Sequence, residues 1–179
     1  MIIHINSYPG VGKLTIAKQL AAMLDAKLLD NHSVYNVAFA LTEYKSKVYY
    51  DTIRSVRAIA YERIHELPSD IPVILTNAHA RDSEWGNECW DNAIHLAKQT
   101  NRPHIVILLD CSREENARRI QGVDREAFRK PRDPALFRQG TEDRALIDRG
   151  ADALLRLDVT DLTAQAAAMR MAEWLKTHQ

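Results

Sequence analysis

Nowhere does the 179-residue sequence approach the ~20 consecutive apolar residues that a membrane-crossing helix needs. The opening run, Met-Ile-Ile-His-Ile-Asn, is too short for a secretory signal and has no positive flank ahead of it. Only two cysteines occur, Cys89 and Cys111, and no C-x-x-C pair, so a zinc or dithiol centre has no sequence support. Two distant thiols point to a reduced, intracellular setting. Basic and acidic side chains balance at 24 each, giving zero formal charge. Gripping duplex nucleic acid by bulk charge requires a concentrated basic surface, which this balance argues against. Repeats, low-complexity tracts and Ser/Gly linkers are also missing. What these absences leave is one domain over 1–179, soluble and cytoplasmic, a monomer or homodimer with no membrane or bulk nucleic-acid partner. A chain of this length buries roughly 70% of its unfolded surface, so it needs no disulfide or structural metal.

What is present is an alternation of short apolar runs with longer amphipathic stretches, the pattern of strand–helix units on a parallel sheet. Strands are predicted at 2–6, 27–30, 73–77, 104–110 and 154–159. Helices are predicted at 13–24, over most of 33–67 with a break near 42–47, and at 84–99. A further helix starts at Ser112, with Glu115 at capping-box spacing. The last starts at Asp161 or Thr163 and ends near 178.

The sharpest local signal is Ser7-Tyr8-Pro9-Gly10-Val11-Gly12-Lys13-Leu14-Thr15, between a predicted strand and a predicted helix. Glycines let successive backbone N–H groups turn inward as an anion-binding nest, and a helix N-terminus adds partial positive charge. Pro9 to Thr15 would then cradle phosphates, with Lys13 reaching the β- and γ-phosphates and Thr15 offering its hydroxyl to magnesium. The general pattern G-x-x-x-x-G-K-[ST] is not met literally: Ser7 replaces the first glycine, and Leu14 follows the lysine.

This segment resembles the G-x-P-G-x-G-K-G-T loop of adenylate kinase and its relatives, where threonine also comes second after the lysine. Ile105-Val106-Ile107-Leu108-Leu109-Asp110-Cys111-Ser112, with Glu114 and Arg119-Ile120-Gln121-Gly122, is similar to the stretch that enters the lid of that family. Arg119 matches an arginine near the nucleotide base. A second family arginine falls at Val123, and Arg125 is the nearest substitute. Leu157-Asp158-Val159-Thr160 with Asp161-Leu162-Thr163 resembles the closing strand and helix of shikimate and gluconate kinases. The resemblance is to the nucleoside-monophosphate kinase and shikimate kinase group. It implies a three-layer P-loop fold, a five-stranded parallel sheet ordered 2-3-1-4-5 and a short basic lid near 122–140. It also implies ATP, Mg²⁺ and phosphotransfer.

Residues 118–138 hold seven basic side chains against three acidic ones. Arginines on a closing lid can neutralise the γ-phosphate oxygens and exclude water. Arg119, Arg125 and Arg129 are the first candidates, and Arg132 and Arg138 the next; a solvated basic loop is the alternative. Asp30 ends the second predicted strand at the carboxyl edge of the sheet, where it can take a proton from an acceptor hydroxyl or cap a helix. His32 is a weaker candidate. Thr76 and Asn77 stand where many P-loop proteins carry a magnesium-side aspartate, with Asp82 nearby, and Asp110 is a superficial alternative. Arg54 and Arg57 share a helix face, as acceptor-site arginines or as a surface salt-bridged pair. The expected function is an ATP-dependent kinase acting on a small-molecule hydroxyl or a nucleotide. The alternatives are an ATP hydrolase and a non-catalytic nucleotide-binding regulator. No N-K-x-D guanine motif occurs.

Overall fold

Five parallel strands form one sheet in the order β2-β3-β1-β4-β5 in the computed structural model, which describes residues 1–121 and 145–178. The strands are β1 Ile2–Ser7, β2 Lys27–Leu29, β3 Val73–Asn77, β4 His104–Asp110 and β5 Ala153–Asp158. Over the described residues the helices are α1 Lys13–Leu24, α2 Asn31–Leu41, α3 Lys47–His65, α4 Glu84–Gln99, α5 Arg113–Ile120 and α6 Ala164–Lys176. Parallel pairing requires a crossover between neighbours, and a right-handed crossover each time yields the expected order with β1 central. None of these helices is long and apolar enough to cross a membrane.

Strand composition follows position. Central β1 is buried at all six residues, whereas edge strand β5 alternates half-buried and exposed positions along ALLRLD. One face of the sheet presents Ile3, Ile5, Ile74, Ile105 and Ile107 to α1 (Ile16, Ala17, Leu20) and α6 (Ala167, Ala168, Met171, Leu175). The other presents Ile2, Val73 and Leu75 to Ile64 of α3 and to Ala93, Leu96 and Ala97 of α4. Each large apolar side chain so buried contributes roughly 1.5–3 kcal/mol.

Several predicted boundaries move. β2 stops at Leu29, and Asp30 becomes the N-cap of α2, which starts earlier than expected. β1 extends to Ser7, which pairs with Leu109. β5 ends at Asp158; buried Val159, read from sequence as strand, packs into the core just beyond it. Ser112 does cap α5, accepting from the Glu115 amide, and Thr163 rather than Asp161 caps α6.

Polar residues interrupt the α4 face. Trp90 of α4 stacks on His4 with ring centroids 4.2 Å apart. The Gly150 carbonyl lies 3.0 Å from His104 Nδ1, so that nitrogen must carry the proton. His104 Nε2 is then an acceptor for His4 Nδ1–H at 3.3 Å. His4 Nε2 in turn accepts from the Asn77 amide at 2.7 Å. The chain of bonds is fully satisfied only with both imidazoles neutral. Nearer the carboxyl edge, Asn6 donates to the carbonyls of His79 (2.9 Å) and Ile147 (3.3 Å) and accepts from the His79 amide (2.8 Å). Ala80 bridges antiparallel to Leu146 alongside.

Candidate active site

The loop between β1 and α1 needs its glycines. Gly10 has φ +93° and Gly12 φ +101°, left-handed values that side-chain-bearing residues rarely adopt. Gly12 occupies the N-cap of α1 and Lys13 its first position, so amides and ammonium converge on one concavity. Lys13 Nζ donates to the Tyr8 carbonyl at 3.4 Å. Thr15 is exposed in the first turn of α1. Ser7, where the general pattern has glycine, is buried in β1 and turns its hydroxyl onto the Tyr8 carbonyl at 3.0 Å. Nest, helix N-terminus and lysine make a donor set that fits a polyphosphate.

Helix α5 braces this loop through residues at i, i+3 and i+4. Asn116 donates to the Pro9 carbonyl at 3.0 Å, and Arg119 Nη1 to the Val11 carbonyl at 2.6 Å. Arg119 also donates to the Val159 carbonyl (2.8 Å) and pairs with Glu115 (2.6 Å). Its N–H groups therefore tie the loop to the exit of β5. A Cβ on Gly10 would lie 2.5 Å from Ile120 Cγ1 and 2.9 Å from Asn116 Nδ2. Gly10→Ala combines left-handed strain with overpacking and is expected to destabilise by about 1–3 kcal/mol and to weaken nucleotide binding. A thermal melt with a nucleotide titration checks this; a wild-type melting temperature and affinity would refute the loop conformation.

A cleft opens at the carboxyl ends of β2 and β3, lined by Leu29, Asn31, Tyr35, Arg57, Thr76 and Cys89 among others. At its rim Asp30 Oδ1 accepts from the Thr76 hydroxyl at 3.1 Å, and Thr76 Oγ1 accepts from the Asn31 amide at 3.2 Å. Asp30 thus takes the N-cap position without bonding the helix amides itself. Thr76 performs the capping and fixes the carboxylate. His32 Nδ1 lies 4.0 Å from Asp30 Oδ1.

The helix-face pair divides. Arg54 is 45% exposed and is bound to Glu88 and Asp51. Arg57 is 8% exposed; it reaches Glu88 (3.1 Å) and the Cys89 sulfur (2.9 Å) from inside the cleft. These arginines, Arg54 foremost, hold the Glu88 carboxyl below its ordinary range. Burial pushes the Cys89 thiol and the Tyr35 hydroxyl up, and Tyr61 up to about 12. The cleft's hydroxyls and thiol therefore stay protonated at neutral pH.

Asn77 lines the cleft but is committed to His4, and exposed Asp110 accepts from the amide of Cys111. Arg125, Arg129, Arg132 and Arg138 fall outside the described residues. Sequence reading missed Thr76 as the brace of Asp30, and it missed Tyr35 and Cys89 of the cleft. No local pattern marks residues that meet across 46 or 54 positions.

No family model matches the chain. A cytidylate kinase of Pyrobaculum islandicum is 28% identical over 165 residues, covering 91% of this chain and 79% of its own. The solved shikimate kinase of Bacteroides thetaiotaomicron superposes with TM-score 0.62 at 18% identity, covering 98% of both chains. A Chloroflexus aurantiacus protein superposes with TM-score 0.68 at 21% identity over 99% of this chain and 97% of its own. The structural likenesses establish the fold.

Proposed function

We propose that this chain, a P-loop kinase of the nucleoside-monophosphate and shikimate kinase-like group, moves the γ-phosphate of ATP to a hydroxyl of a small molecule held in the cleft beside Asp30. The observation that carries the choice of a hydroxyl is the charge balance of the cleft. Asp30 sits at the rim with its carboxylate held by Thr76, where a proton acceptor is useful. Arg57 and Arg54 are already matched by Glu88 and Asp51. An acceptor phosphate would bring further negative charge to arginines whose charge is already engaged, and to the carboxylate of Asp30.

In this reading the loop amides and Lys13 hold the β- and γ-phosphates. Mg²⁺, held by those phosphates with Thr15 beside it, would neutralise charge on the transferred group. Asp30 takes the acceptor's proton as the oxygen attacks. The face of Arg119 is left for the base, since its N–H groups are spent on carbonyls. Arg125 and Arg129 are proposed to face the transferred group. The protein would work in the cytoplasm, where ATP is abundant.

The test is ADP release from ATP and Mg²⁺ against a panel of sugars, shikimate-like hydroxy acids, aminoglycoside- and chloramphenicol-like compounds and nucleoside monophosphates. Stimulation by a hydroxyl compound, lost in Lys13→Ala, is expected. Stimulation by nucleoside monophosphates alone would overturn the hydroxyl reading and favour a nucleotide acceptor, as the name of the Pyrobaculum relative suggests. Acceptor-independent ADP release would mark a hydrolase.

A further inference from the structure

Among the buried imidazoles of the sheet, His79 alone is left with an orphaned nitrogen. His4 and His104 share the satisfied chain of bonds that ends on Gly150. His79 is 6% exposed, and its Nε2 has no hydrogen-bond partner. Leaving such an atom unpaired in the interior is costly, and folded proteins rarely leave one without a reason.

The backbone does not let the ring escape. The amide of His79 is held by Asn6 Oδ1 at 2.8 Å. Its carbonyl accepts from Asn6 Nδ2 at 2.9 Å and from the Ile147 amide at 3.1 Å. Three bonds from two other segments fix the peptide groups on both sides of its Cα, and hence the direction in which the side chain leaves the backbone.

The position is informative. β1 and β3 are adjacent and parallel, with Asn6 opposite Asn77. Just past that pair, β1 gives way to the phosphate loop and β3 to His79. The preceding residues Thr76 and Asn77 line the acceptor cleft. Two cations bear on the ring, Arg57 of the cleft and Lys13 of the loop. His79 therefore lies within electrostatic reach both of the group that would hold the γ-phosphate and of a group that lines the acceptor's seat. Burial first, then these two cations, push its pKa down to about 4, so the ring is neutral under physiological conditions. A neutral imidazole near two cations can still donate one hydrogen bond without adding a third charge.

We infer that His79 is a further catalytic residue, whose Nε2–H donates to an oxygen of the phosphoryl group in transit between ATP and the acceptor. The inference rests on the proposed phosphotransfer reading, since it needs a γ-phosphate at Lys13. A hydrogen bond made only when the group is in transit stabilises the transition state over the ground state, which is how binding energy becomes rate. Within the protein the same atom has no partner, as such a role requires.

The test uses ADP and Mg²⁺ with and without aluminium fluoride, which mimics the transferring group and needs no knowledge of the acceptor. In the wild-type protein, ¹⁵N spectra of the histidine rings should show His79 Nε2 moving when fluoride completes the complex. It should stay still with ADP alone, and His4 and His104 should serve as unmoved controls. His79→Leu should weaken aluminium-fluoride binding about tenfold or more, leave ADP affinity unchanged and keep or raise Tm, because it removes an orphaned polar atom. An ADP–fluoride complex that forms with Lys13 dependence but leaves His79 still would overturn this inference alone. Failure of ADP to bind would overturn both it and the kinase reading. A lowered Tm with unchanged fluoride affinity in His79→Leu would reduce His79 to a packing residue and also refute the inference.

Discussion

Replacing Asp30 by asparagine is expected to lower kcat about 10²–10⁴-fold with a hydroxyl acceptor, the usual worth of general-base assistance. Affinity for ATP should not change. A hydroxyl must lose its proton as it attacks, whereas an acceptor phosphate arrives already ionised. The amide of asparagine keeps the size of the carboxylate and can still accept from Thr76, but it cannot take the proton. Asparagine also caps helices as well as aspartate does, and Thr76 already serves the first amide of α2, so Tm should be preserved. Asparagine is thus more discriminating than alanine, which would remove the partner of Thr76 as well. The measurement is steady-state kinetics at saturating acceptor beside a thermal melt. Wild-type kcat at unchanged Tm would remove Asp30 from the mechanism and turn attention to a phosphate acceptor.

The second large effect is on stability in mild acid. Burial is the first cause that pulls His4, His79 and His104 below the ordinary histidine pKa of 6.5. Unfolded, each would bind a proton near pH 6.5; folded, each resists until lower pH. A depressed histidine contributes stability that is complete above pH 6.5 and is lost as pH falls from there towards the folded pKa. For His79, with a folded value of about 4, the loss reaches about 3 kcal/mol by pH 4. His4 and His104 add to it, because a proton on either breaks the one-way chain of donors ending on Gly150. Domains of this kind are stable by ~5–15 kcal/mol, so the loss is a substantial part of the margin. The carboxylates of Glu88 and Asp148 are held low by arginines, so their contribution goes only as pH drops through the acid carboxylate range. Urea melts at neutral pH and near pH 5 isolate the histidine window. An unfolding free energy that stays flat across it would show that the sheet accommodates charged imidazoles.

What could be read from sequence was what the chain dictates locally. Gly10, Gly12 and Lys13 declare a nest at a helix start because neighbouring residues form both. The continuous apolar run of β4 announces a strand buried on both sides. Val159 misled because its apolarity serves the core rather than the strand. The site's second half was hidden, because it is made of meetings between distant residues. Thr76 finds Asp30 through the pairing of β2 with β3, and Arg57 parts from Arg54 only because α4 brings Glu88 and Cys89 against α3. His79 looked like one more polar residue after a strand until Asn6 was seen to hold it in place.

The braces around the loop have an architectural corollary. Residue 121 follows a helix whose Asn116, Arg119 and Ile120 are keyed to Pro9, Val11 and Gly10. Residue 145 leads into a segment stitched to His79 and Arg81 by backbone bonds. Both junctions are anchored on the sheet's carboxyl edge, so the chain leaves α5 and re-enters at residue 145 from two points that bonds among the described residues hold in fixed relation to one another.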